Sequence, residues 1–297
     1  MSTKAVISKT PSQAGAYAQL VRAPAALTVL GDTVAGAAAG RNPLRGRRLL
    51  LPLASASFYW AGMALNDWAD RDLDAIERPE RPIPSGRVSA SAALTTGGVL
   101  TAAGLGLSRL GGGQRGFRIA LPLAAAVLAY DTRLKGTSAG PLGMATCRML
   151  DVLLGASGGS LRSALPAAAA FGVHTMGVTA LSAGEVRGGS SDTASAAVAG
   201  TAVSTALAVT GRSRSWRDRL AGAAFGGGFA ATVGRAQFAA AQRPTADRIR
   251  TATMAGIHGM VPLQASLAAR HGSVRSAVLL AGALPVARKL AKRVSPT

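Results

Sequence analysis

The stretch Asn66-Asp67-Trp68-Ala69-Asp70-Arg71-Asp72-Leu73-Asp74-Ala75-Ile76-Glu77-Arg78-Pro79-Glu80-Arg81-Pro82-Ile83-Pro84-Ser85-Gly86 decides how the rest of the chain is read. It closes a long apolar run, Leu49 to Leu65. Four aspartates fall within eight residues, although the whole chain has only 13 acidic side chains. Asp67, Asp70 and Asp74 are spaced i, i+3, i+7, so a helix carries them on one face. Stacked like charges repel unless a cation stands between them. A hard divalent ion such as Mg2+ takes carboxylate oxygens and bridges to phosphate, which makes it the simplest occupant.

Working outward, apolar runs of bilayer-spanning length recur along the 297 residues. The spacing predicts spans at about 19–39, 48–66, 90–109, 117–131, 139–158, 164–183, 194–210, 219–240, 251–269 and 274–291. The expected fold is therefore all-α, a polytopic transmembrane bundle of nine or ten helices. One integral-membrane domain is expected over 1–297, with a core at about 18–245 and C-terminal helices at about 251–291. The Gly111–Gly113 and Gly226–Gly228 tracts predict a turn and a close helix contact.

Charged residues make up 15%, against roughly 25% in soluble domains. The net charge of +20 resides largely in arginines between the apolar runs, where loops meet anionic headgroups. With only 4% aromatic residues and no aromatic-interleaved basic groove, nucleic acid is not an expected partner. The single cysteine, Cys147, offers neither a disulfide framework nor a zinc site. Residues 1–15 have no apolar core, so a cleaved signal peptide is not expected. Counting Lys and Arg by loop slightly favours the N-terminus and the 66–90 loop on the cytoplasmic side of the cell membrane.

The ordered motif at 66–86 resembles the first aspartate-rich motif of the UbiA superfamily of intramembrane prenyltransferases. Its Arg-Pro-Glu-Arg-Pro-Ile-Pro-Ser-Gly continuation is most similar to the branch with glyceryl-phosphate prenyltransferases and chlorophyll synthases. Tyr130-Asp131-Thr132-Arg133-Leu134-Lys135-Gly136 resembles the family's segment after the fourth span. Arg148-Met149-Leu150-Asp151 resembles a cavity-facing segment in the fifth. The resemblance in layout runs over about 18–245, and sharp motif identity over about 66–87 and 130–151.

The resemblance implies transfer of an isoprenyl group from a prenyl diphosphate to a lipophilic acceptor, within the bilayer and with Mg2+. It implies Asp67, Asp70 and Asp74 as metal ligands and catalytic groups, with Lys135. Asn66 becomes a neutral oxygen ligand or orienter near the diphosphate. Arg78, Arg81, Arg133, Lys135, Arg148 and Arg187 become diphosphate contacts. Family members usually carry a second aspartate-rich motif after the sixth span. Here only Glu185 stands there, followed by Arg187, with Asp192 further on. Glu185 is the expected surviving second-site ligand, and Arg187 an alternative that contacts the diphosphate directly. This loop and Ile257-His258-Gly259-Met260-Val261-Pro262-Leu263-Gln264 resemble the EboC-like branch. A membrane carrier without turnover, on the same fold, is the alternative implied by the altered loop.

Several buried-looking polar residues carry plainer expectations. Arg148 and Asp151, at i, i+3, are placed to neutralise each other. Asp32 is expected to pair with Arg22 or face the cavity. His174 and His258 are expected as hydrogen-bonded interior groups, and Arg235 and Gln237 as polar contacts inside the bundle.

Overall fold

The computed structural model describes residues 12–282 and 285. The last predicted span, 274–291, is helical over 274–282, and its remaining residues other than 285 lie outside the described ones. Every regular element among the described residues is helical. Helix α1 (Gln13–Leu20), α2 (Leu30–Ala39), α3 (Leu50–Ala69) and the short α4 (Arg71–Glu77) lead to α5 (Ala90–Ala129), then α6 (Gly140–Gly155). Helices α7 (Leu161–Ser182), α8 (Ser191–Val209), α9 (Trp216–Gln242) and α10 (Ala246–Arg270) complete the bundle. Gly46–Ala69, Ala90–Leu134 and Leu161–Ser182 are long and apolar enough to cross a membrane.

One predicted span is broken, and two others are continuous through a kink. The 19–39 run is not one helix. Arg22 adopts φ 48 in the left-handed region, and Pro24 lacks the N–H that a continuing helix needs. A 3-10 turn, Ala23–Thr28, therefore separates α1 from α2. Helix α5 is two arms joined at Gly113, whose φ 64 and ψ −155 are outside the helical region. A Cβ on Gly116 would lie 2.6 Å from the Ser108 carbonyl oxygen. Eight residues along an unbroken helix would separate these groups by about 12 Å, so the arms fold back as a hairpin. The predicted spans 90–109 and 117–131 match the two arms.

Small residues bring the helices together. A Cβ on Gly36 would stand 1.8 Å from the Val152 carbonyl oxygen, and one on Gly155 would stand 2.1 Å from that of Thr33. The Gly36-Ala-Ala-Ala-Gly40 spacing thus lets the backbones of α2 and α6 touch. Gly226 approaches Val209 and Ser266 in the same manner. Helix α10 is no appendage: Leu263 and Leu267 share a core with Phe171, Phe229, Val233 and Val152. Gln264 reaches from α10 to Asp32 on α2 at 2.8 Å.

Candidate active site

The acidic motif straddles the junction of α3 and α4. Backbone bonds from Asp70 to Asn66 and from Asp74 to Asp70 keep near-helical spacing through it. Asp67 and Asp74 consequently remain on one side and are both buried. Cations do stand between the carboxylates, and they are side chains. Nη1 of Arg81 donates to Asp67 at 3.3 Å and to Asp74 at 2.5 Å. Arg22 donates to Asp67 at 3.1 Å, across the break that precedes α2. Lys135 pairs with Asp70.

Lys135 owes its position to a π-helical turn, Tyr130–Leu134, that extends α5 and ends on a Lys135 N–H bond to the Tyr130 carbonyl. Such turns concentrate at functional sites. This one buries Asp131 and leaves Lys135 exposed beside Asp70. Asn66 donates to Asp131 at 3.4 Å. A Cβ on Gly62 would fall 2.7 Å from the other Asp131 oxygen, so glycine makes room for that carboxylate.

Below these groups lies a cavity of about 410 Å³, with Met63, Tyr130, Asp131 and Ser182 at one end. Phe58, Leu123, Val127, Val178 and Ile257 give it an apolar wall, and Ser55, Arg148, Asp151 and Thr175 form its far end. From Met63 to Ser55 along α3 is about 12 Å at helical rise. The segments ending the second, fourth and sixth predicted spans meet at the near end.

Several sequence expectations need correction. Arg148 is not at the acidic loop. It lies eight residues into α6, about 12 Å from the helix start. There it forms a two-point pair with Asp32, with Nη2 at 3.0 Å and Nε at 3.0 Å. The Arg148–Asp151 pair does not form, because Asp32 on α2 reaches the guanidinium first and Asp151 accepts from Ser55 at 2.5 Å. Arg22 pairs with Asp67 instead of Asp32. Arg235 is exposed, whereas Gln237 is buried and accepts from Thr201 at 2.7 Å. His174 is interior, its Nε2 donating to the Gly256 carbonyl at 2.9 Å. His258 lines the cavity.

The other expected diphosphate contacts are Arg78, Arg133 and Arg187. All three are exposed and form no ion pair among the described residues. Glu185 is half-buried, lies three residues beyond the cavity-lining Ser182, and is also unpaired. Sequence reasoning set Arg22 beside Asp32 rather than in the site, and gave Asp131 no role. An arginine just before Pro24 at the edge of an apolar run was the available signal for the first. A carboxylate at the end of a span was the signal for the second.

Among the described residues, no three His, Cys, Asp or Glu side chains are gathered to hold a metal ion. The donor chemistry nevertheless fits one: Asp67 and Asp74 are hard-oxygen groups close enough to share a single cationic nitrogen.

The description "UbiA prenyltransferase family" matches residues 25–209, and the chain belongs to that family. With its long apolar helices, it is an integral membrane protein. It is 37% identical over 131 residues to a digeranylgeranylglyceryl phosphate synthase of Methanopyrus kandleri, covering 41% of this chain and 45% of that one. To the bacteriochlorophyll synthase 34 kDa chain of Chloroflexus aurantiacus it is 40% identical over 115 residues, covering 38% and 36%. The chain thus spans less than half the length of these curated relatives. A solved structure of a digeranylgeranylglyceryl phosphate synthase superposes with a TM-score of 0.67 at 15% identity, covering 89% of this chain and 99% of that one. The apo structure of a UbiA homolog from Aeropyrum pernix K1 superposes at 0.63 and 17% identity, covering 81% and 96%. These two likenesses concern the fold.

Proposed function

We propose that this chain is an intramembrane prenyltransferase, moving an isoprenyl group from a prenyl diphosphate to a lipophilic acceptor. The observation that carries this reading is the lattice of carboxylates and cations placed directly over an apolar cavity. A prenyl diphosphate has the same polarity, a multiply charged head on a greasy chain.

In this reading Asp67, Asp70 and Asp74 hold Mg2+, with Asn66 beside them and Glu185 as the remaining carboxylate of a reduced second site. When bound, the metal supplies charge neutralisation that makes diphosphate a better leaving group. The protein's own cations do the rest. Arg81 and Lys135 already lie among the acids, and Arg78, Arg133 and Arg187 flank them without carboxylate partners. Guanidinium groups suit phosphate oxygens geometrically, and they stabilise the charge that develops as the bond to carbon breaks. The apolar wall keeps water from the allylic cation, so an electron-rich acceptor captures it.

We read α1 to α10 as nine crossings, with α1 and α2 together as one and the arms of α5 counted separately, and the helix that begins at 274 as the start of a tenth. The whole chain then forms a single membrane domain, with the acidic loop on the cytoplasmic side of the cell membrane.

The test is pyrophosphate release by purified protein in lipid with Mg2+, C10 to C20 prenyl diphosphates and a membrane-extract acceptor pool. Release that requires both Mg2+ and Asp70 is expected. Binding without release would favour a second reading, an isoprenoid carrier. The specific observation behind that alternative is the loop between α7 and α8, 183–190, where Glu185 is the single carboxylate.

A further inference from the structure

At the end of the bundle away from the acidic loop, a buried cation lacks a counter-ion. Helix α10 starts beside the 184–189 loop, where Gly189 donates to the Pro244 carbonyl. Its last residue, Arg270, lies 24 positions on from Ala246, about 36 Å away. Arg270 is only 5% exposed. Its Nη1 donates to the Leu207 carbonyl at 3.0 Å and its Nη2 to Nε2 of His271 at 3.3 Å. Its Nε has no partner, and no ion pair among the described residues includes it.

The surroundings add positive charge. Nδ1 of His271 donates to the Leu267 carbonyl at 2.8 Å, which leaves Nε2 as the acceptor for Arg270. Burial holds this imidazole below its ordinary range, and Arg270 and Arg41 push it the same way. The side chain of Arg214 lies over Gly272, its Cδ 2.5 Å from where a Cβ would stand. Beside Arg214, the Ser213 hydroxyl has no partner either. Asp218, the nearest carboxylate along the chain, accepts the Ser215 hydroxyl at 2.7 Å and forms no ion pair.

Removing a guanidinium from water costs several kcal/mol unless an anion meets it. The negative end of α10 offsets part of that cost, and the Leu207 carbonyl supplies one charge-assisted hydrogen bond. Among the described residues no carboxylate meets Arg270. Trp216, 68% exposed, and Arg217, 5.5 Å over its ring, mark this corner as the membrane–water boundary. Lipid phosphates are the anions concentrated at such a boundary.

We propose that Arg270 and Arg214 form a binding site for the phosphate of an anionic membrane lipid, at the end of the bundle away from the cavity. Arg214, His271 and Arg270 lie outside residues 25–209, the stretch that matches the family description.

The test is thermal unfolding of the full chain in dodecyl maltoside, with added dioleoylphosphatidylglycerol, dioleoylphosphatidylcholine or sodium phosphate. Phosphatidylglycerol is expected to raise Tm by several degrees and phosphatidylcholine much less. Arg270→Gln should remove at least half of that rise. Arg214→Gln, at an exposed position that folding tolerates, should do the same, while Arg235→Gln leaves it intact. Equal stabilisation by both lipids, or a full rise in Arg214→Gln, overturns the site. A full rise with sodium phosphate alone overturns its assignment to a lipid. A loss of basal Tm in Asp218→Asn matching that in Arg270→Gln would make Asp218 the counter-ion, and would overturn the site as well.

Discussion

Asp67 is the residue on which most of the proposed chemistry converges, because Arg22 and Arg81 both reach it while Asn66 beside it contacts Asp131. Asp67→Ala or Asp70→Ala should cut kcat/KM for prenyl transfer by about 100-fold or more, the scale of losing one preorganised electrostatic group. The size-exclusion profile should stay that of a folded bundle, and full activity in either variant would sink the proposed metal site. Lys135 is 39% exposed in its side chain, so its loss costs binding more than folding. Lys135→Ala should raise KM for the diphosphate by roughly tenfold, as expected for one charge-assisted hydrogen bond. An unchanged KM would remove it from the site. Glu185→Gln should weaken the Mg2+ dependence of turnover, and an unaltered Mg2+ titration would exclude a second ligand there.

Packing between elements rests on glycines more than on large side chains. Gly36→Leu would drive a side chain into the Val152 carbonyl, and overpacking of this kind typically costs about 1–3 kcal/mol. Gly234 has open space around its missing Cβ, so Gly234→Ala should leave Tm unchanged or raise it slightly. Comparing the two variants by thermal unfolding separates close helix approach from simple helix propensity. At this scale much was legible in the sequence. Apolar run length placed α3, both arms of α5, α7 and α10, and Gly111–Gly113 announced the hairpin. The break in 19–39 was not read, although Pro24 was visible, because composition there stays apolar through the turn. Pairings were the least legible part. Arg148 and Asp32 are separated by 116 positions and Arg22 and Asp67 by 45. Periodicity assigns a face to each residue but names no partner on the neighbouring helix.

For the whole molecule, the proposed orientation follows from loop charge and is open to direct test. Cys147 is the single cysteine and is buried, so the wild-type chain should resist membrane-impermeant maleimides. Ser85→Cys should label in inside-out vesicles and stay silent in intact cells, and the reverse pattern would invert the topology. The acidic motif was the most legible part of the site because its spacing is local. The cavity beneath it was not, since α3, α5, α6, α7 and α10 all contribute to its wall.

The guanidinium shared by Asp67 and Asp74 has a consequence for selectivity. The resting motif is spoken for: Asp67, Asp70 and Asp74 each already have a base, and Arg22, Arg81 and Lys135 each an acid. A lone metal ion would satisfy the acids and strand Arg22 and Arg81. A bare phosphate would satisfy those arginines and strand the acids. Only a visitor bringing both signs at once can trade places with what is there and leave nothing unmatched. In the proposed function the site is then a coincidence detector, indifferent to the separate ions around it and responsive to their complex.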